Sequence, residues 1–171
     1  MTVLRILQYP DPRLATKAEP VTVFDDELQR IIDDMFETHY NAENCAALAA
    51  SQLDFEHPKH ITVIDFSEKK DQPLCLVNGK IIAREGSHVE GEGCMSVQGV
   101  YDKVKRSATI TVHAQDRFGN PLEFQAEGYM AKCIQHELDH LNGVLFLDYL
   151  STLKRHRIDK KFEKLQRWNE S

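Results

Sequence analysis

His136 and His140 stand four residues apart in QHELDH (135–140), with Glu137 directly after the first histidine. Four residues is about one turn of an α-helix, so on a helix the two imidazoles share a face and can hold one metal ion. Ile134, Leu138 and Leu141 make that segment amphipathic, so it packs on a core. Two histidines and a glutamate at a packed face cost stability unless they have a partner. Two ligands from one turn rarely complete a site, and the third must come from elsewhere.

Four sources can be compared. The long metzincin pattern H-E-x-x-H-x-x-G-x-x-H finds Gly143 in place but ends on Phe146, which binds no metal. A thermolysin-like carboxylate from a later helix would have to be Glu163, whose KKFEKLQ context reads as an exposed charged helix. Cys133 lies on a similar face, but it is seven residues from His140, about 10 Å along the axis. Metal bonds of about 2 Å do not readily join both with His136 between them, so Cys133 reads as a small buried side chain. Cys94 sits in GEGCMSVQGV, between glycines that allow tight backbone geometry, and can approach the helix from the side. The expected set is Cys94, His136 and His140 with the fourth position open to water, the arrangement of a catalytic rather than a structural site.

The elements that must position these residues are readable from spacing. YPDPRL near the start is an extended or turning arm. Asp25 or Asp26 caps a helix beginning near Glu27, followed by an apolar stripe of Leu28, Ile31, Ile32, Met35 and Phe36. His39 ends that stripe and reads as a boundary histidine rather than a ligand. Strands are expected at 61–66, 73–78, 108–115 and 121–128, the last two joined by a hairpin at DRFGN. His113 reads as a surface residue on its strand. A helix follows from about Tyr129, carries QHELDH and ends at Asn142-Gly143, both of which accept the left-handed cap conformation. A last helix runs from about Ser151 to Trp168, with a stripe of Leu150, Leu153, Arg157, Ile158, Phe162 and Leu165. The expected fold is α+β: antiparallel strands packed around a central metal-binding helix, with an N-terminal helix and a C-terminal helix, in one domain over 1–171.

Composition narrows the class. The chain has 171 residues, 42% hydrophobic and 28% charged, with a formal net charge of −6. That balance argues against nucleic acid as the main partner, because phosphate binding needs a concentrated positive surface. The basic run Lys154–Lys164 is the local exception; it reads as a solvated face, with a nucleic-acid or ribosome contact as the alternative. No stretch approaches the roughly 20 apolar residues of a membrane helix, and MTVLRILQYPDPR lacks the apolar run of a secretory signal. Cys45, Cys75, Cys94 and Cys133 are irregularly spaced, as in a reducing cytoplasm where cysteines are buried, catalytic or metal-binding.

EGCMS (92–96) together with QHELDH resembles the paired signature E-G-C-L-S and Q-H-E-x-D-H of the peptide deformylases. CAALAASQ (45–52) is similar to a third motif of that family, G-x-G-x-A-A-x-Q. YPDPRL, the hairpin around DRFGN and DYLSTLKRHRI also look like bacterial members, so the resemblance runs nearly the whole chain. It implies removal of the formyl group from formylmethionyl peptide N-termini, with formate as product. By motif position it implies Cys94, His136 and His140 as metal ligands and Glu137 as general base and acid. Gln52 and the backbone N–H of Met95 would stabilise the oxyanion. The divalent ion implied is Fe2+, with Zn2+ or Ni2+ able to replace it; its chemistry is to bring the pKa of water towards neutrality.

The departures from the family lie in the substrate-facing segments. Cys45 and Ala47 replace the two motif glycines, and a Cβ at each narrows the groove or shifts its main chain. Cys45 is read either as a small buried residue or as a redox-sensitive thiol. Ser51 and Gln98 replace proline or small residues and are expected to loosen their loops. Tyr129 and Lys132 stand where relatives carry apolar residues near the methionine pocket. Together these suggest an active but divergent deformylase, a second copy beside a standard one. Asp139 is either a partner for a ligand histidine or for an arginine such as Arg106, or plain helix surface; Glu92 either buttresses the Cys94 loop through such a pairing or is solvated. Two rival classes remain at this point: a metallopeptidase cutting internal bonds, and a non-catalytic binding protein.

Overall fold

The first helix starts where a side chain can satisfy its orphan donors. Asp25 Oδ1 accepts from the Leu28 N–H at 3.0 Å, and α1 runs Asp26–Asn41. In this computed structural model residues 2–170 are described; Met1 and Ser171 of the expected domain lie outside the described residues. The strands, in chain order, are β1 (Ala47–Ala49), β2 (Ile61–Ile64), β3 (Leu74–Glu85), β4 (His88–Cys94), β5 (Val97–Arg106), β6 (Thr109–Gln115) and β7 (Pro121–Glu127). Two helices follow, α2 (Gly128–Leu141) and α3 (Thr152–Glu170).

Five strands form one antiparallel sheet in the order β1-β2-β3-β6-β7, and β4 pairs with β5 as a separate ribbon. Strand periodicity sends alternate residues to opposite faces of the large sheet. Ala49, Ile64, Leu76, Ile110 and Val112 pack against Ala131, Ile134, Leu138 and Leu141 of α2. Leu48, Val63 and Val77 pack on the other face against Leu28, Ile32 and Met35 of α1. The sheet is thus covered on both sides, which is why all four residues of β2 are buried. A third cluster joins Val97 and Val104 of the ribbon to Leu7, Leu14 and Phe146, with Ile158 and Phe162 of α3 packed against it.

The α+β expectation holds, and three details differ. The ribbon β4–β5 was not expected: HVEGEG carries charge and glycine instead of apolar alternation, and its pairing energy comes from the partner strand. β3 continues past Asn78, where the expected strand ended: Asn78 takes φ +54° at a bulge and its amide is held by Val21 O and Gln115 Oε1, both at 2.8 Å. As expected, α2 ends at Asn142-Gly143, with Gly143 left-handed (φ +77°) and Asn142 at φ −99°. A Cβ on Gly143 would also sit 2.4 Å from the Ala15 carbonyl oxygen, so glycine is required there twice over. The stripe of α3 is split: Ile158 and Phe162 reach the core, but Leu153 and Leu165 are exposed.

Candidate active site

The backbone hands the site one strand end and one helix face. β4 delivers Cys94 to the wall of α2, where one turn aligns His136 and His140. Cys94 Sγ lies 3.3 Å from His140 Nε2, and the two Nε2 atoms are 3.1 Å apart. Metal–nitrogen bonds of about 2.0–2.1 Å and a metal–sulfur bond of about 2.3 Å put tetrahedral ligand atoms about 3.4 Å apart, so this donor set fits one ion. Among the described residues, these three form the one group of histidine, cysteine or carboxylate ligands close enough to share a metal. Glu163 is exposed on α3, and Cys133 is buried but lies outside the group, as expected.

His136 is held by a partner on its second ring nitrogen, whereas the buried Nδ1 of His140 has none among the described residues. His136 Nδ1 pairs with Glu92 Oε1 at 2.8 Å, leaving Nε2 for the metal. Arg106 clamps the same carboxylate through Nε (2.8 Å) and Nη2 (2.9 Å) and donates through Nη1 to Asp139. Glu92 therefore buttresses the site through the arginine pairing, and Asp139 takes the arginine rather than a ligand histidine; it also accepts from Tyr149 OH at 2.7 Å. Burial alone would raise the Glu92 carboxyl, but the hydrogen bonds from Arg106 and His136 overcome it and hold the group at about 2.

Glu137 is 4% exposed, and its Oε2 is shut from solvent without a hydrogen-bond partner. Burial pushes its carboxyl up to about 7, with His136 opposing and the Glu92 charge adding to the rise. A buried carboxylate that titrates near neutrality can both take and return a proton. Gln52 is fully enclosed; its Oε1 accepts from the Ala49 N–H at 2.9 Å, which turns Nε2 towards Ser96 Oγ (3.2 Å) and Cys94 Sγ (3.6 Å). Met95 occupies the turn between β4 and β5 and lines the same cavity of ≈770 Å³ as Gln52, Cys94, His136 and Glu137.

Several supports were not visible in the sequence. The N-terminal arm pins both halves of the site, because the Leu7 N–H donates to Gln52 O and the Tyr9 N–H to Ser96 O, each at 2.7 Å. Gln135 ties α2 to the β5–β6 corner, with Nε2 donating to Ser107 O and Oε1 accepting from the Ser107 N–H, both at 2.9 Å. Ser51 does not loosen its loop: its hydroxyl donates to His140 O at 2.7 Å and ties CAALAASQ to the metal helix. The glycines before Cys94 serve close packing rather than unusual dihedrals, since a Cβ on Gly91 would lie 2.4 Å from the Tyr101 ring. His39 is buried, not at a boundary, and contacts Asp65 O at 2.9 Å and Cys45 Sγ at 3.2 Å. His113 is exposed, as expected.

Three of the six departures from the family pattern line the cavity, and Cys45, Ser51 and Gln98 do not. Ala47, Tyr129 and Lys132 line it, and Lys132 Nζ donates to Gly91 O at 2.9 Å across its wall. Cys45 is half-buried beside β1, and burial, with the Glu137 charge adding, pushes its thiol up to about 12. A thiol that stays protonated is a poor nucleophile, which favours the small-residue reading over the redox one.

Comparison with known proteins agrees with this geometry. The sequence profile described as polypeptide deformylase matches residues 3–156. The chain is 69% identical over 166 residues to a protein of Coxiella burnetii named peptide deformylase 1, spanning 96% of this chain and 98% of that one. It is 50% identical over 169 residues to a peptide deformylase of Chromobacterium violaceum, spanning 99% of each. A crystal structure of a peptide deformylase from Legionella pneumophila superposes with a TM-score of 0.90 at 43% identity, covering 99% of this chain and 98% of that one. The Ehrlichia chaffeensis peptide deformylase in complex with actinonin superposes at 0.89 with 37% identity, covering 98% and 99%. None of these relatives supports the metallopeptidase or the non-catalytic alternative. Sequence and fold agree over almost the full length, and the chain belongs to the peptide deformylase family, hydrolases that remove the N-terminal formyl group of polypeptides.

Proposed function

We propose that residues 1–171 form one catalytic domain in which Cys94, His136 and His140 hold a divalent ion, Glu137 is the general base and acid, and Gln52 with the Met95 N–H binds the oxyanion. The observation that carries this is the convergence of Cys94 Sγ, His136 Nε2 and His140 Nε2 beside a buried Glu137. The ion supplies Lewis acidity that makes water a nucleophile near neutral pH. Glu137 accepts a proton from the attacking water at its carboxylate and returns it to the leaving amine. As the formyl carbon becomes tetrahedral, its oxygen gains charge, and Gln52 Nε2–H and the Met95 N–H stabilise it; one such donor is worth about 3 kcal/mol. A thiolate ligand suits a borderline or soft ion, and we assign ferrous iron, with zinc or nickel as substitutes.

The substrate is the formylmethionyl N-terminus of a new polypeptide, met in the cytoplasm. Ala47, Tyr129 and Lys132 at the groove alter side-chain preference relative to standard members. Exposed cations along α3 support a transient ribosome contact, which would weaken with salt; neither membrane nor specific DNA is a partner.

The test is formate release from a formyl-Met tripeptide by protein purified anaerobically with ferrous iron. Release that disappears in Glu137→Ala, with metal content retained, is expected. Metal-loaded, folded protein that releases no formate would overturn the reading.

A further inference from the structure

A second cavity, of ≈490 Å³, opens on the side of α2 away from the metal ligands. At 100° per residue, Leu138 and Asn142 project to the far side of α2 from His136, Glu137 and His140, with Gln135 and Asp139 at the flank. Its walls come from β3, the end of β5 and α2, and they carry Lys80, Arg84, Lys105 and Arg106. One carboxylate lines it, Asp139, and that group is already held by Arg106 and by Tyr149 OH.

Lys80, Arg84 and Lys105 form no ion pair among the described residues. Arg84 makes only long contacts, 3.4 Å to Gln135 Oε1 and 3.5 Å to Ser107 Oγ. Three exposed cations without an ion-pair partner thus border one concavity, in a chain whose net charge is −6. A ligand with two negative charges can pair with these cations, and a guanidinium fork matches phosphate oxygens in shape. The half-enclosed volume suits a small molecule rather than a nucleic-acid duplex. Gly79, Ile81 and Leu138 add an apolar floor for the remainder of such a ligand.

We propose that this cavity is a binding site for a small phosphate monoester, with Arg84 and Lys105 as its principal anion contacts and Lys80 at the rim. The site is separate from the deformylation groove and joined to it by Arg106, whose Nε and Nη2 hold the carboxylate that orients His136.

The test is calorimetric titration of nickel-loaded protein with phenyl phosphate, beside the Arg84→Gln/Lys105→Gln double variant and Cys94→Ser. Binding should weaken at least about tenfold in the double variant. It should persist in Cys94→Ser, whose weakened metal retention leaves a phosphate less ion to coordinate. Formate release by the double variant should match the parent and shows that it is folded. No binding to the parent, equal binding to the double variant, or loss confined to Cys94→Ser would each overturn the proposal. So would tighter binding of a short RNA strand than of phenyl phosphate with the same dependence on Arg84 and Lys105, since the site would then serve a macromolecule.

Discussion

Gln52 has one oxygen and one nitrogen to place, and a single backbone contact decides between them. The Ala49 N–H takes the oxygen, so the two amide hydrogens face Cys94 and Ser96. The donor is thus oriented before any substrate arrives, which is what an oxyanion site requires. Gln52→Ala is expected to lower kcat about 10²-fold or more with little change in KM and with metal content kept. Unchanged kcat with raised KM would make Gln52 a ground-state binding residue instead. The candidate site residues were legible because two of the proposed ligands lie one helix turn apart and the third sits in a short glycine-flanked motif. Ser51 and Gln135 were not legible as braces, because a serine or glutamine shows its partner only when the chain has folded.

At the scale of elements, the decisive contact is the one that locks the β4–β5 ribbon to α2. Arg106 from β5 grips Glu92 of β4 and Asp139 of α2, and Glu92 in turn holds His136. The Glu92 carboxyl lies at about 2 in the folded chain against its ordinary 4.5. A depressed carboxylate contributes stability that is fully present above its unfolded pKa and is lost as pH falls through the folded one. The metal-free protein should therefore lose stability between about pH 4.5 and pH 2 through this group. Glu92→Gln leaves a buried guanidinium short of a partner and should cost about 3 kcal/mol at pH 6. The gap between parent and variant should narrow as the pH approaches 2. Urea unfolding at pH 6 and pH 3 reads both values, and an equal gap at the two would refute the assignment.

At the scale of the whole molecule, the proposed ligands join parts of the chain that are far apart in sequence. Cys94 ends a ribbon on the third cluster, whereas His136 and His140 belong to the helix buried in the main sheet. An ion that binds only the folded chain stabilises it by mass action, about 2.7 kcal/mol at a hundred times the Kd. Chelation should lower the Tm of the parent by several degrees. Cys94→Ser should start lower and respond less to chelator, while Glu137→Ala should respond like the parent. The opposite ranking of the two variants would reverse their assigned roles.

The sequence by itself determined which residues could bind metal, that α2 would carry two of them, and that one helix precedes a run of antiparallel strands and two helices follow it. These are local properties: spacing on a helix turn, an N-cap carboxylate at Asp25, a hairpin at DRFGN. Tertiary structure alone decided the β4–β5 ribbon, the burial of His39, the bracing of Ser51 and the cationic cavity behind α2. The ribbon's strands adjoin in sequence but lack the apolar alternation that would mark them; the others join residues from separate segments, so their energy exists only when the partners meet.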